Sequence, residues 1–307
     1  MFVLNPDPYS LPTYRIGPFQ TRDLSINHCL PDSDFIDNYL HERFGNKVYA
    51  YTENGRKAIN LALESFNLKK DDVVTIFTTT GNFYISGCVT KEIEKFCKWS
   101  RKMEVETKLI FVNHEFGYPF ADLKKLKEYD LPIIEDCANS FFSKDKDNHI
   151  GEVGDFVIYS FPKMFPLQIG GLLVSNKSDK AARIDPIETS TLRHIKNVLS
   201  NYINSEKEIV AKRIFNYNYL KKKFDSLGFI ERFNPQEGNV PSVYMFRADK
   251  HKLNLPELKK HFYAHGVQCS IFYGEESFFI PAHQTLTEQD MDYFFEIMKS
   301  FIKSSEL

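Results

Sequence analysis

The sequence predicts an α/β fold, with a large three-layer α/β/α domain built on a mainly parallel sheet and a smaller C-terminal α+β domain. Between residues 50 and 175, helical segments alternate with short apolar strands, which is typical of parallel sheets covered on both faces. The chain has 307 residues, 42% of them hydrophobic, enough for a sizeable core and a second unit. We expect an N-terminal arm over residues 1–45, the large domain over 46–180, and a bridging helix with the small domain over 181–307.

In the large domain the alternation predicts three helices and five strands. The predicted helices are Arg56–Phe66, Phe83–Trp99 and Ala121–Tyr129. The predicted strands are Val73–Phe77, Lys108–Asn113, Pro132–Glu135, Phe156–Ser160 and Gly171–Ser175. Ligands of such sheets bind beyond the carboxyl ends of the strands, so we expect the chemistry to lie there.

The remainder of the chain predicts a smaller unit of mixed helix and strand. Its elements are a helical bridging stretch over Ala181–Leu227, strands at Ser242–Arg247 and Val267–Phe272, and a helix at Pro256–His265. Gly266 directly follows that helix and is a common C-terminal stop. A last helix is expected to be capped by the Thr287 hydroxyl and to end near Lys303.

Charge and cysteine content exclude several classes of protein. The 39 basic and 41 acidic residues leave a net charge of −2, so we expect no nucleic-acid partner. No apolar run approaches the roughly 18 residues of a membrane span, and Met1–Ser10 lacks the basic start of a secretion signal, so we expect no membrane partner. Five scattered cysteines without metal-ligand spacing predict a reduced, cytoplasmic protein with no metal site.

The first chemical motif is a lysine just beyond a strand. Lys163 follows the strand Phe156–Ser160 in a mostly apolar setting, three residues after Ser160. Burial among apolar side chains would lower the pKa of its amine, and a neutral amine can form a Schiff base. The Ser160 hydroxyl is placed to hold a phosphate. The alternative is that Lys163 is a solvent-exposed loop lysine.

The second motif is a strand that ends abruptly in acids. Asp136 stands at the end of the apolar segment that begins at Pro132. The cofactor pyridoxal 5′-phosphate (PLP) withdraws electrons only while its pyridine nitrogen stays protonated, and the protein must supply a carboxylate beside that nitrogen. Asp136 is placed to supply it. The alternative is that Asp136 caps the helix that follows the strand.

The third motif is a glycine turn that opens a helix. Gly55 is followed by Arg56 and Lys57, two cations that oppose the helix dipole in the first turn. Their placement is explained if a phosphate binds the exposed amides there and Arg56 pairs with it. The alternative is a solvated helix start.

In this order, the motifs resemble those of the DegT/DnrJ/EryC1/StrS sugar aminotransferases, PLP enzymes of the aspartate-aminotransferase-like fold type I. Gly55–Ala62 is similar to the family's glycine-led phosphate helix, and Glu135–Asn139 is similar to its E-D-x-A-Q. Gly154–Phe161 resembles G-D-x-x-x-x-S-F. His114–Gly117 resembles H-L-Y-G, and Ile280–Thr287 resembles L-P-x-H-x-x-L-T.

The resemblance spans about residues 45 to 303 and implies roles for single residues. It implies that Lys163 carries PLP and that Asp136 contacts the pyridine nitrogen. Asn139 stands where the family has a glutamine near the phenolic oxygen of the cofactor. Arg56 stands where the family has a small residue.

Three further residues are candidate contacts, each with a structural alternative. Tyr84, preferred slightly over Phe83, is a candidate to stack on the cofactor ring, and the alternative is that both pack at a helix start. His114 and His283 are candidate substrate contacts. For each histidine the alternative is a structural role.

The resemblance implies a homodimeric aminotransferase that moves an amino group from glutamate to a nucleotide-linked keto sugar, in polysaccharide or glycan synthesis. A PLP-dependent sugar dehydratase is an alternative, but those family members replace the lysine with histidine. A cofactor-free binding or scaffold protein is another, because the chain is shorter than typical members and departs from the pattern at Arg56 and Asn139. A dinucleotide-binding protein is disfavoured because no GxGxxG follows the first strand.

Overall fold

The computed structural model describes residues 13–147, 149–177, 187–249 and 252–305. In these residues the chain forms a seven-stranded sheet and a separate four-stranded sheet, both packed against helices. The predicted α/β class with a mainly parallel large sheet is confirmed.

The large sheet is parallel except at one edge. Its strands are β1 (Val48–Thr52), β2 (Val73–Thr78), β3 (Lys98–Ser100), β4 (Thr107–Asn113), β5 (Ile133–Asp136), β6 (Phe156–Ser160) and β7 (Gly171–Ser175). Their spatial order is β1-β7-β6-β5-β4-β2-β3. The five strands from β6 to β3 run parallel, whereas β7 pairs antiparallel with both β6 and β1.

Helices cover both faces of this sheet. They are α1 (Asp23–His28), α2 (Phe35–Phe44), α3 (Gly55–Glu64), α4 (Gly87–Ile93), the 3₁₀ helix Leu123–Tyr129, and α5 (Thr189–Ile203). Side chains alternate along a strand, so Phe156 and Ile158 of β6 pack with α3 and α4, while Val157 and Tyr159 pack with α2 and α5. The three-layer arrangement follows from this alternation.

The C-terminal unit is an antiparallel sheet with its own core. Its strands are β8 (Ile230–Glu231), β9 (Val243–Arg247), β10 (Ser270–Phe272) and β11 (Ser277–Pro281), and its helices are α6 (Glu206–Asp225), α7 (Leu255–Ala264) and α8 (Glu288–Ser305). Phe224 of α6, Phe262 of α7 and Phe294 of α8 are completely buried in one apolar cluster with the strands. None of the helices in the described ranges has the length and apolarity needed to cross a membrane.

The predicted start of α8 and the predicted end of α7 are confirmed. The Thr287 hydroxyl accepts a hydrogen bond from the Asp290 amide at 3.3 Å, and the Asp290 carboxylate accepts from the Thr287 amide at 2.8 Å. This reciprocal pair is a capping box with aspartate in the usual place of glutamate. Gly266 has φ +74°, the left-handed conformation that favours glycine after a helix.

Other element predictions were wrong in part. The helix predicted over Phe83–Trp99 begins only at Gly87, where the Ser86 side chain accepts from the Cys88 amide, and Trp99 belongs to β3. The stretch predicted over Ala181–Leu227 contains two helices, because α5 packs on the large sheet whereas α6 packs in the C-terminal core. Strands β1, β3, β8 and β11 were not predicted, since short strands give little periodic signal.

The predicted domain division stays a prediction. Its boundary between residues 180 and 181, like the start of the predicted bridging helix, lies outside the described residues. Of the predicted arm over residues 1–45, the first twelve residues also lie outside them. Helix α2, within that arm, buries Ile36 and Leu40 against the large sheet and α5.

Candidate functional site

The parallel strands bring polar residues together at one edge of the large sheet. The ladder registers pair Thr78 with Asn113 and Asn113 with Asp136, the last residues of β2, β4 and β5. Strand β6 runs parallel to β5 and ends at Ser160, and the short 3₁₀ helix Phe161–Lys163 follows it. The carboxyl edge therefore carries the motifs that the sequence pointed to, as expected for this class of sheet.

Asp136 is a buried carboxylate held in a defined orientation. It is 4% exposed, and its two oxygens accept hydrogen bonds from Asn113 Nδ2 at 2.8 Å and from the Ala138 amide at 3.0 Å. Burial raises the pKa of Asp136, and the amide of Ala138, the charges of His114 and Lys163, and the Asn113 side chain offset only part of this effect. A cationic hydrogen-bond donor beside the carboxylate would favour its ionised form.

The segment that carries Lys163 is fixed at both ends by backbone hydrogen bonds. The Phe161 amide donates to the Gly170 carbonyl at 3.1 Å, and the Gly170 amide donates to the Glu53 carbonyl at 2.6 Å. At Gly171 an added Cβ would lie 2.7 Å from Thr52 Oγ1 and 2.9 Å from the Tyr159 carbonyl oxygen. The close approach of these segments therefore requires glycine at position 171.

The expected burial of Lys163 was wrong. Its apolar neighbours Met164, Phe165 and Leu167 are buried in the core of the large domain, while Lys163 itself is exposed. The cause is the 3₁₀ turn, which directs the apolar side chains inward and leaves the lysine at the cavity described next.

A cavity of about 230 Å³ lies between the carboxyl edge of the large sheet and the C-terminal sheet. It is lined by three of the predicted site residues, Lys163, Asn139 and Tyr84. The Tyr84 ring is 41% exposed and lies 5.4 Å from the ring of Tyr273, at 48°. The remaining wall is mostly apolar and includes Ile16, Phe116, Val243, Ile271, Phe272 and Phe279.

The start of α3 lies beside the end of β6. A Cβ added to Gly55 would lie 3.2 Å from Cβ and 3.5 Å from Oγ of Ser160, so these two predicted residues are neighbours. The Asn54 side chain caps the helix by accepting from the Lys57 amide at 3.1 Å. Arg56 is exposed on the first turn. An anion here would therefore meet the Gly55 and Arg56 amides and the Ser160 hydroxyl.

His114 is buried away from the cavity and belongs to a polar cluster. Its Nε2 lies 3.1 Å from Glu135 Oε2, and its Nδ1 accepts from the Phe120 amide at 3.0 Å. Burial acts to raise the pKa of Glu135, but the hydrogen bond and charge of His114 and the amides of Gly154 and Gly151 lower it overall. Because amides fill both Glu135 oxygens, we read this cluster as structural.

The contacts of His283 are also with protein groups. It is 1% exposed, and its Nε2 lies 3.0 Å from the Arg15 carbonyl oxygen while its Nδ1 lies 2.9 Å from Thr285 Oγ1. Burial and the charge of Arg213 lower the pKa of His283 to about 3. Neither His114 nor His283 lines the cavity, so we do not propose either as a substrate contact.

Asn113, Glu115 and Ser242 are among the polar cavity residues that were not singled out from the sequence. Asn113 ends a predicted strand, as Asp136 does, and the same signal could have identified it. Glu115 is 6% exposed and accepts from the Thr80 amide and hydroxyl, both at 2.7 Å, and burial raises the pKa of Glu115. The Ser242 hydroxyl is buried without a hydrogen-bond partner in the described residues.

Comparison with known proteins confirms the resemblance. Residues 95–205 match the sequence model of the DegT/DnrJ/EryC1/StrS aminotransferase family. GDP-perosamine synthase of Escherichia coli O157:H7 is 31% identical over 184 residues, which cover 49% of this chain and 49% of that protein. The chain thus spans about half the length of the curated relatives it matches.

Solved structures show the same fold over almost the whole chain. The aminotransferase TlmJ from Streptoalloteichus hindustanus superposes with a TM-score of 0.72 at 16% identity, covering 93% of this chain and 95% of that one. The E. coli GDP-4-keto-6-deoxy-D-mannose-3-dehydratase with bound hydrated PLP superposes with a TM-score of 0.67 at 13% identity, covering 94% and 100%. An aminotransferase and a dehydratase thus share the fold of this chain.

Proposed function

We propose that this chain is a PLP-dependent aminotransferase of the DegT/DnrJ/EryC1/StrS family, whose sequence model matches residues 95–205. The observation that carries the proposal is the convergence of Lys163, Asn139 and Tyr84 on one cavity, beside the buried Asp136. When bound, PLP would supply an electron-withdrawing ring that stabilises negative charge on a substrate carbon.

The residues fit this cofactor. Asp136 is a buried carboxylate that accepts hydrogen bonds from Asn113 and the Ala138 amide, and burial raises its pKa, so a protonated ring nitrogen beside it would favour its ionised form. Lys163 lines the same cavity, where its Nζ would hold the cofactor aldehyde. Gly55 and Ser160 adjoin one another and would hold the phosphate.

Each residue then has a defined task. Asp136 would keep the ring nitrogen protonated, and Asn113 orients the carboxylate for that contact. Lys163 Nζ would also act as a general base and acid that moves a proton at the substrate carbon. Tyr84 would stack on the ring. Asn139 would contact the phenolic oxygen through a water molecule.

We propose glutamate as the amino donor and a nucleotide-linked keto sugar as the acceptor. Relatives named as a GDP-perosamine synthase and as a dTDP-sugar transaminase support the acceptor class. The dehydratase alternative is disfavoured because Lys163 stands where those family members carry histidine. We also propose that the protein is a cytoplasmic homodimer, as the resemblance implies. Phe83, 72% exposed next to the cavity residue Tyr84, would be covered by a partner subunit.

The proposal is tested with the purified protein, PLP and glutamate. Incubation with keto sugars linked to GDP or dTDP should release 2-oxoglutarate and an aminated sugar in equal amounts. A Lys163→Ala variant should release neither. Loss of a hydroxyl group from the sugar without amination would instead identify a dehydratase. Absence of turnover with every keto sugar would contradict the proposal and favour the binding or scaffold protein.

A further inference from the structure

A fully buried arginine contacts the backbone of the proposed cofactor lysine. Arg213 lies in α6 and is 0% exposed. Its Nη2 donates to the carbonyl oxygen of Lys163 at 2.9 Å, its Nε donates to Gln284 Oε1 at 2.8 Å, and its Nη1 donates to the carbonyl oxygen of Pro241 at 3.4 Å. All three donating nitrogens of the guanidinium thus bind acceptors in different parts of the chain.

Arg213 has no acidic partner among the residues that the structure describes. Burial lowers the pKa of Arg213 to about 9, which reflects the cost of removing a guanidinium from water without a counter-charge. An apolar side chain of similar size is often as stable as a buried charge. Packing alone therefore does not explain an arginine at this position, whereas its three directed hydrogen bonds do.

Gln284 extends the contact to the next residue of the lysine segment. It follows β11, and its Nε2 donates to the carbonyl oxygen of Met164 at 2.8 Å while its Oε1 accepts from Arg213. Two successive carbonyl groups, those of Lys163 and Met164, are therefore held by two side chains that also hold each other. Both side chains come from the C-terminal part of the chain, 50 or more residues away in sequence.

These side-chain contacts add to the backbone hydrogen bonds that hold the ends of the lysine segment. The segment is a 3₁₀ helix of three residues, Phe161–Lys163, and short 3₁₀ turns have poor hydrogen-bond geometry of their own. The lysine side chain is exposed and flexible, so ordering it in a bond to a cofactor costs conformational entropy. A fixed backbone limits that cost to the side chain.

We propose that Arg213 and Gln284 are positioning residues that fix the backbone of Lys163 so that its amine reaches the cofactor aldehyde. This inference rests on the proposed function, because it assumes that Lys163 holds PLP. It predicts that loss of the Arg213 and Gln284 hydrogen bonds weakens binding of PLP more than binding of pyridoxamine phosphate. The reason is that PLP bonds to the lysine, whereas pyridoxamine phosphate does not.

The experiment compares Kd for the two cofactor forms in wild type and variants. Arg213→Met removes all three hydrogen bonds, and we expect the preference for PLP over pyridoxamine phosphate to fall about tenfold, as for loss of a hydrogen bond to a charged group. Arg213→Lys, which keeps one donor, should recover part of the preference. Lys163→Ala sets the lower limit of the preference.

A second variant separates positioning from stability. Gln284→Glu keeps an acceptor for Arg213 and gives it a counter-charge, which offsets the lost hydrogen bond to Met164, so the protein should unfold near the wild-type temperature. The variant loses the donor to Met164, however, and places a carboxylate oxygen against that carbonyl. The preference for PLP should therefore fall, by about threefold or more, in a protein of near wild-type stability.

Asn216→Leu is the matched control. Asn216 is equally buried in α6, and its Nδ2 donates to the carbonyl oxygens of His283 and Leu286 rather than to the lysine segment. This variant should lose stability and keep the wild-type preference. The inference is overturned if Arg213→Met and Gln284→Glu also keep the wild-type preference for PLP over pyridoxamine phosphate. If wild type itself binds the two forms no differently from Lys163→Ala, the proposed function fails instead.

Discussion

Asn113 and Asp136, the last residues of neighbouring strands β4 and β5, are joined by a hydrogen bond of 2.8 Å from the amide to the carboxylate. The strand register places them side by side, so the sheet itself sets the orientation of the carboxylate. The other Asp136 oxygen accepts from the Ala138 amide, as in a helix cap, although no helix follows in the described residues. The capping alternative therefore describes one contact of Asp136, and the proposed cofactor contact remains compatible with it.

Asp136→Asn should separate cofactor binding from turnover. The amide keeps the size of the side chain but removes the charge that keeps the ring nitrogen protonated. We expect the cofactor to bind and the half-reaction with glutamate to slow by about 100-fold or more, equivalent to roughly 3 kcal/mol of barrier. Stopped-flow absorbance of the cofactor measures this rate.

Asp155→Asn provides the control for that experiment. Asp155 is also a buried aspartate of the large sheet, but it lies at the opposite edge, where it accepts from the Ile133 amide at 2.8 Å. This change should lower stability and leave the half-reaction rate near wild type. A near-normal rate in Asp136→Asn would show that Asp136 is only a structural residue.

Site residues could be predicted from the sequence where their role depends on neighbouring residues in the chain, but not where it depends on contacts between distant parts of the chain. Asp136 and Lys163 each follow an apolar strand, and such local patterns can be read without knowing the fold. Arg213 could not be found in this way, because it lies in a lysine-rich helix and its burial depends on contacts with residues 163 and 284. The exposure of Lys163 was likewise decided by the geometry of a turn rather than by its apolar neighbours.

Arg56→Ala should weaken PLP binding. Arg56 is exposed on the first turn of α3, next to the Gly55–Ser160 contact, and its guanidinium would pair with the cofactor phosphate. Loss of a hydrogen bond to a charged group costs about 1.5–3 kcal/mol, so Kd should rise about tenfold or more. Titration of the cofactor-free protein at constant ionic strength measures the change.

Lys57→Ala, which removes the neighbouring cation of the same turn, controls for loss of charge alone. Its Kd should rise by much less than that of Arg56→Ala. Equal dissociation constants for wild type and Arg56→Ala would remove Arg56 from the phosphate site and leave the α3 amides and Ser160 to hold it.

His283 should make the protein sensitive to acid. Its pKa is about 3 in the folded chain and about 6.5 when unfolded, so the unfolded chain binds the proton first and stability falls as the pH drops below about 6.5. The two values imply a loss of about 2 kcal/mol between pH 7 and pH 5. Urea unfolding of wild type and His283→Gln at both pH values measures it.

Other titrating groups are common to both proteins and cancel in this comparison. The glutamine variant should therefore lose about 2 kcal/mol less than wild type over the same pH interval. If the two proteins lose the same amount, the histidine is not held neutral by burial in the way the structure indicates.

Borohydride reduction of the PLP-loaded protein, followed by peptide mapping, tests the central claim most directly. Reduction converts the carbon–nitrogen double bond to a stable single bond and marks the lysine that carried the cofactor. The account predicts one pyridoxyl group per chain, on the peptide that contains Lys163, and none in Lys163→Ala. A pyridoxyl group on a different lysine, or no label after loading with PLP, would contradict it.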